Sequence, residues 1–148
     1  MNTAVHLERV LSDVSTAGVY HLPHMDKGDV VAAAKANDFA TFRVNLAQAG
    51  DKEQMLAAIA KAMRFPDWFG HNFDALADCL ADMGWQPADG YMILLEHCDG
   101  IHGKAEEDFL GALQVFEQAA SDWRDEDVPF WCLVEMQADG IAWLPTEP

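Results

Sequence analysis

A chain of 148 residues, 51% of them hydrophobic, is long enough for one domain with a sizeable core and too apolar to remain disordered. It contains no 18-residue apolar span and does not begin with a basic segment followed by a hydrophobic run, so neither membrane insertion nor secretion is expected and the cytoplasm is the default location. Its 25 acidic and nine basic residues give a formal charge of −16, which argues against unaided binding of nucleic acid or an anionic membrane and in favour of a basic protein as partner.

In chain order, AVHLERVLSDV at 4–14 places apolar residues at helical spacing, and GVYHL at 18–22 reads as a short strand. Pro23 and the MDKGD turn stop that strand, after which Asp29 is placed to cap a helix over VVAAAKAN. Few large apolar residues occur before position 39. Residues 1–38 therefore read as an N-terminal extension packed on the core, with the main domain at 39–148.

Within FATFRVNLA, 39–47, Phe42, Val44 and Leu46 alternate with Thr41, Arg43 and Asn45, the period of a strand. The following DKEQMLAAIAKAMR starts with Asp51 as a cap and sets Met55, Leu56, Ile59, Ala60 and Met63 on one helical face, with Pro66 to end it. Asn72 can cap a second helix from Phe73 to about Met83, and Gly84 permits the turn that closes it. YMILLEH at 91–97 reads as a central strand covered on both faces, 105–121 as another helix, and PFWCLVEM at 129–136 as a further strand. IAWL at 141–144 is a short edge-strand candidate. Strand, helix, helix, strand, helix, strand is the order of an α/β fold with parallel pairing, because helices provide the crossovers that parallel strands need. An α+β arrangement is the alternative.

The charge is uneven. Residues 1–38 hold five acids and three bases, whereas the rest holds 20 acids and six bases, and Phe65 to Gly103 has seven acids with no Lys or Arg. In that stretch Asp74, Asp78 and Asp82 recur every four residues, drifting by roughly 40° per step around a helix and forming a stripe beside the buried one of Phe73, Leu76, Leu80 and Met83. Such a stripe is either solvated surface or the complement of a cation carried by another molecule.

The linked pattern WFGHNFDALADCL, with Pro66 before it, LQVF at Leu113 to Phe116 and an apolar strand after Pro129, resembles the barstar family of intracellular inhibitors of barnase-like ribonucleases over roughly residues 40–136. The resemblance implies a small parallel sheet packed against helices, here with an N-terminal elaboration, and no catalytic residue or cofactor. It also implies a basic extracellular-type ribonuclease as 1:1 partner, its active site occluded by the acidic helix and the aromatic loop before it. On this likeness Trp68 is the loop aromatic, Gly70 and Asn72 shape the loop and helix start, and Asp74 and Asp78 are the principal acidic contacts. Asp82 and Trp85, near the following turn, and Gln118, where the family pattern has a contacting glutamate, complete the expected surface. Ala77 departs from the pattern, which has an aromatic there. A barstar-shaped module acting on a non-nuclease basic partner is the alternative reading.

Other chemistries fit poorly. EHCDGIH, 96–102, supplies zinc-ligating atoms, but its spacing matches no closed zinc site and no helical H-E-x-x-H arrangement. Neighbouring strand residues alternate faces, so His97 and Cys98 are expected to point apart rather than to form a nucleophile and base. Cys79, Cys98 and Cys132 are odd in number and set among apolar residues, the pattern of buried thiols.

Overall fold

A computed structural model describes residues 3–22, 27–66, 70, 72–84 and 86–136. Of the turn expected from Pro23 through MDKGD (25–29), residues 23–26 lie outside these, as does the edge strand expected at 141–144, while 27–29 are helical. Helix α1 (Thr3–Ser12) is followed by a 3-10 turn (Val14–Thr16), strand β1 (Val19–His21), helix α2 (Lys27–Ala36), strand β2 (Ala40–Asn45), and helices α3 (Lys52–Met63) and α4 (Phe73–Asp82). Strand β3 (Tyr91–Glu96), helices α5 (Asp99–Lys104) and α6 (Glu106–Asp125), and strand β4 (Phe130–Val134) complete the described chain.

The four strands form one sheet in the order β1-β4-β3-β2, and every pairing is parallel, as the alternation of strands and helices requires. β3 and β4 lie inside and are buried at every position. Their side chains divide by parity. Tyr91, Ile93, Leu95, Phe130, Cys132 and Val134 join the core with the buried residues of α3, α4 and α6, while Met92, Leu94, Trp131 and Leu133 join Leu7, Leu11, Val30, Ala33 and Ala34 on the opposite face.

That second cluster is built in large part from the N-terminal segment. β1 extends the sheet beside β4, and α1 and α2 cover a face that would otherwise expose Trp131, Met92 and Leu94. Large residues are scarce in the segment because the sheet supplies the bulk and α2 packs small Ala33 and Ala34 closely against it. The Trp131 indole Nε1 donates to the Leu11 carbonyl at 2.9 Å, and the Arg124 guanidinium on α6 donates to the Ala17 carbonyl at 2.7 Å, tying the segment to the core at two points.

Local expectations fare unevenly. Asp51 does cap α3, accepting from the Gln54 amide at 2.8 Å, while Gln54 Oε1 reaches back to the Gly50 amide at 2.7 Å. α3 ends at Met63, before Pro66, with Arg64 in the left-handed region at φ 57°. Asp29 is not a cap: α2 begins at Lys27 and Asp29 sits inside the first turn, where its charge still suits the helix N-terminus. Met83, at φ 48°, makes the left-handed turn that closes α4 in place of Gly84. β3 stops at Glu96 because His97 is left-handed at φ 58°, and the glycine-containing run DGIHGK, anchored by buried Ile101, forms the unanticipated α5.

Candidate functional site

α4 presents the acidic stripe. Asn72 precedes it in an extended conformation, its Oδ1 accepting from the Ala75 amide at 2.7 Å and its Nδ2 donating to the Gly70 carbonyl at 3.3 Å. One side chain thus caps the helix and holds the exposed Gly70 end of the loop. Leu76, Cys79 and Leu80 fix the inner face, and Trp123 Nε1 on α6 donates to the Leu80 carbonyl at 2.7 Å, satisfying one of the last-turn acceptors that the helix itself leaves open.

Asp74, Asp78 and Asp82 are all exposed, and none takes part in an ion pair among the described residues. Asp74 lies in the first turn, where a negative charge suits the helix dipole. Asp82 ends the helix, which has no basic residue in its last turn, so it opposes the dipole, while Asp78 sits mid-helix, where the dipole gives it no support. Helix stability accounts for the first acid and not for the other two. Their field reaches inward as well: the Cys79 thiol is pushed up to about 11, by burial first and then by the Asp78 and Asp82 carboxylates. The stretch lacks its own cation, but the fold brings Lys52 of α3 to 4.4 Å from the centroid of the Phe73 ring.

Gln118, exposed on α6, comes to the same side of the molecule by lining a groove of about 340 Å³ with Phe73 and Ala77 of α4. Its Nε2 donates at 2.9 Å to Oδ1 of Asp122, another lining residue. Val115 and Ala119 add apolar wall, and Gly111 lets the Phe73 ring lie close to α6, since a Cβ there would stand 2.9 Å from the ring. Phe73 is accordingly half-buried groove wall as well as packing residue. Sequence reasoning passed over Gly111, although an isolated glycine within a helical run is a sign of close packing. Trp68 and Trp85, and His71 with them, lie outside the described residues.

A second group of charges gathers where β3 and β4 end. Glu96, only 7% exposed, accepts from Arg43 Nε and Nη2, each at 2.9 Å, and from Lys27 Nζ at 2.8 Å. Lys27 also pairs with Glu135 at 2.8 Å. The Arg43 guanidinium first, and Lys27 after it, overcome the burial penalty and hold the Glu96 carboxyl down to about 2. Burial pushes Glu135 upward, but Lys27 and the His97 amide outweigh it and leave its pKa lowered. Glu96, His97 and Glu135 bring donor atoms within 4.8 Å of one another, as a metal site would. The two carboxylates already share Lys27, however, so an ion would have to displace a lysine, and the arrangement is an ion-pair node. Beside it His97 is exposed and Cys98 buried, its Sγ directed to the Leu95 carbonyl at 3.2 Å. They do point apart, through the left-handed turn at His97 rather than through strand alternation.

Residues 39–135 match the family model described as Barstar (barnase inhibitor). No curated protein matches the chain. Among solved structures, the Aeropyrum pernix ORC2 protein, in its ADPNP-ADP complexes, is similar at a TM-score of 0.61 and 18% identity, over 89% of this chain and 39% of that one. The chain thus spans about two fifths of that protein's length, and the likeness is one of fold.

Proposed function

This chain belongs to the barstar family, whose action is ribonuclease inhibition rather than catalysis, and from that premise we propose that it occludes the active site of a basic microbial-type ribonuclease in a 1:1 complex. α4 and the loop before it enter the cleft, with Asp74 and Asp78 as principal contacts, Asp82 and Gln118 towards the edge, and Trp68 and Trp85 as the aromatic contribution. The observation that carries the reading is the row of exposed carboxylates on a capped helix, unpaired within the described chain and partly set against the helix dipole.

A ribonuclease has to hold an anionic phosphodiester and stabilise the charge of its transition state, so its cleft is lined with cations. Carboxylates held on a rigid helix can meet those cations without the ordering cost of a loose acidic tail, in charge-assisted hydrogen bonds. The gain has to exceed the desolvation of both charges, and apolar contact around them helps by excluding water. A net charge of −16 also steers a basic partner towards the complex.

The test is inhibition of RNA cleavage by a panel of purified basic microbial ribonucleases, with titration calorimetry on those inhibited. Competition with RNA is expected, with affinity reduced about tenfold or more in Asp74→Ala and in Asp78→Ala. Equal affinity in both variants towards an inhibited ribonuclease would remove the roles given to these acids. A complex with a basic non-nuclease through the same helix would replace the ribonuclease while keeping the surface.

A further inference from the structure

The groove between α4 and α6 is bounded by the contact of Phe73 with Gly111 but is not filled by either helix. Leu76 and Leu80 pack inside, Trp123 secures the end of α4, and the space between Phe73, Ala77, Val115 and Ala119 is open to solvent. Its lining is mainly apolar, with Gln114, Gln118 and Asp122 as its polar members. At about 340 Å³ it lies at the lower end of the range for ligand pockets, roughly 300 to 1,000 Å³. Such a space suits one large side chain better than an extended segment.

The surrounding charge decides whose side chain it is. Asp74 stands three residues before Ala77 and so is its neighbour on the surface of α4, Asp78 follows Ala77, and Asp122 lines the groove. No Lys or Arg lines the groove. A second copy of a chain carrying −16 would bring acids against acids, so self-association through this face is opposed by electrostatics. A basic protein is favoured. Within such a partner the mainly apolar lining selects a bulky aromatic group, and the Asp122 carboxylate and Gln118 amide offer acceptors for an indole N–H.

We propose that the α4–α6 groove is a receptacle for an aromatic side chain, above all tryptophan, carried by the basic partner beside the cations that meet Asp74 and Asp78. This rests on the acidic-helix reading and adds a specificity element to it: charge brings the partner to α4, and the groove discriminates among basic surfaces by the apolar side chain they present.

The experiment titrates the ¹⁵N-labelled full chain at low salt with two defined probes, the capped tripeptides Arg-Trp-Arg and Arg-Ala-Arg. The tryptophan peptide is expected to shift the amides of Ala77, Val115 and Gln118 together with those of Asp74 and Asp78, and to bind at least about tenfold more tightly than the alanine peptide. Ala77→Trp, at an exposed position, fills the groove from within. It is expected to abolish the tenfold preference while the Asp74 and Asp78 shifts persist. Equal binding of the two peptides by the wild-type chain, or shifts confined to Asp74 and Asp78, overturns the receptacle and leaves the acidic-helix reading standing. Groove shifts with Asp74 and Asp78 silent keep the receptacle and overturn that reading. Groove shifts that grow with protein concentration alone assign the face to a second copy and overturn the proposal.

Discussion

Lys27→Met probes how the N-terminal helices are attached to the sheet, because Nζ lies 2.8 Å from both Glu96 Oε1 and Glu135 Oε2 and methionine keeps an apolar stem of similar length. A hydrogen bond to a charged group is worth about 1.5–3 kcal/mol net. Lys27 and Glu135 are each about a quarter exposed, which weakens their bond, whereas Glu96 is nearly buried and would keep Arg43. A loss of about 3 kcal/mol follows, or roughly 6–12 °C in melting temperature for a chain of this size. The sign with pH is fixed by the carboxylates. Both have lowered pKa values in the folded state, so their contribution is complete above the ordinary value of 4.5 and is lost as pH falls towards the folded value, about 2 for Glu96. Lys27 is itself shifted upward, by Glu135 first and Glu96 next, so its part is intact below the ordinary value of 10.5 and fades only above it. Urea unfolding followed by circular dichroism at about pH 7.5, 5.5 and 3.5 would therefore give a full difference between variant and parent at the first two values and a smaller one at the third. A loss below about 1 kcal/mol at neutral pH, or one unchanged in acid, would refute the coupling of α2 to the two strand ends.

Asp82→Asn is expected to raise stability by about 0.3–1 kcal/mol in the same unfolding assay, because it removes a negative charge from the unfavourable end of α4; a destabilised variant would show that Asp82 serves the fold. Asn72→Ala removes the cap of α4 and its bond to Gly70, costing about 1 kcal/mol, with earlier amide exchange in the first turn of that helix than elsewhere in it. Burial raises the pKa of Cys79, Cys98 and Cys132, so a water-soluble disulfide reagent at pH 8 should label none of them in the native protein and all three in urea; fast labelling of any one in the native state contradicts its burial. Trp131→Phe leaves the Leu11 carbonyl without its indole donor and should cost about 1–3 kcal/mol, read by urea unfolding, although the ring volume is largely kept.

What could be read from the sequence was what short-range periodicity records. The alternation at Phe42, Val44 and Leu46, the apolar run of β3 and the spacing in α3, α4 and α6 each reflect burial along one element, and the elements followed. The acidic stripe is of the same kind, since Asp74, Asp78 and Asp82 share a helix. Interactions between distant segments were hidden. β1 was legible as a strand in GVYHL, but its place beside β4 was not. Glu96 looked like one more acid in a cation-free stretch, yet Lys27 and Arg43 reach it from 69 and 53 positions away. The groove depends on Ala77 and Gly111 lining one space from two helices, which no pattern within either helix records. α5 was missed because its glycines weaken helix propensity and a single buried isoleucine anchors it.

The two acidic regions of the molecule are resolved in opposite ways, and the contrast bears on function. The chain has nine Lys and Arg, and it places two of them on Glu96, the one nearly buried acid among the described residues, where an unpaired carboxylate would cost several kcal/mol. That pairing is explained by the fold alone. On α4 no such demand exists, because the acids are solvated, and Lys52 approaches the Phe73 ring while pairing with no aspartate among the described residues. Stability would be served by replacing Asp82 with a neutral or basic residue, the change that the helix dipole favours. A surface that gives up stability in this way, on a helix capped at its start and clamped by Trp123 at its end, has the character of a binding element held rigid for a charge supplied from outside.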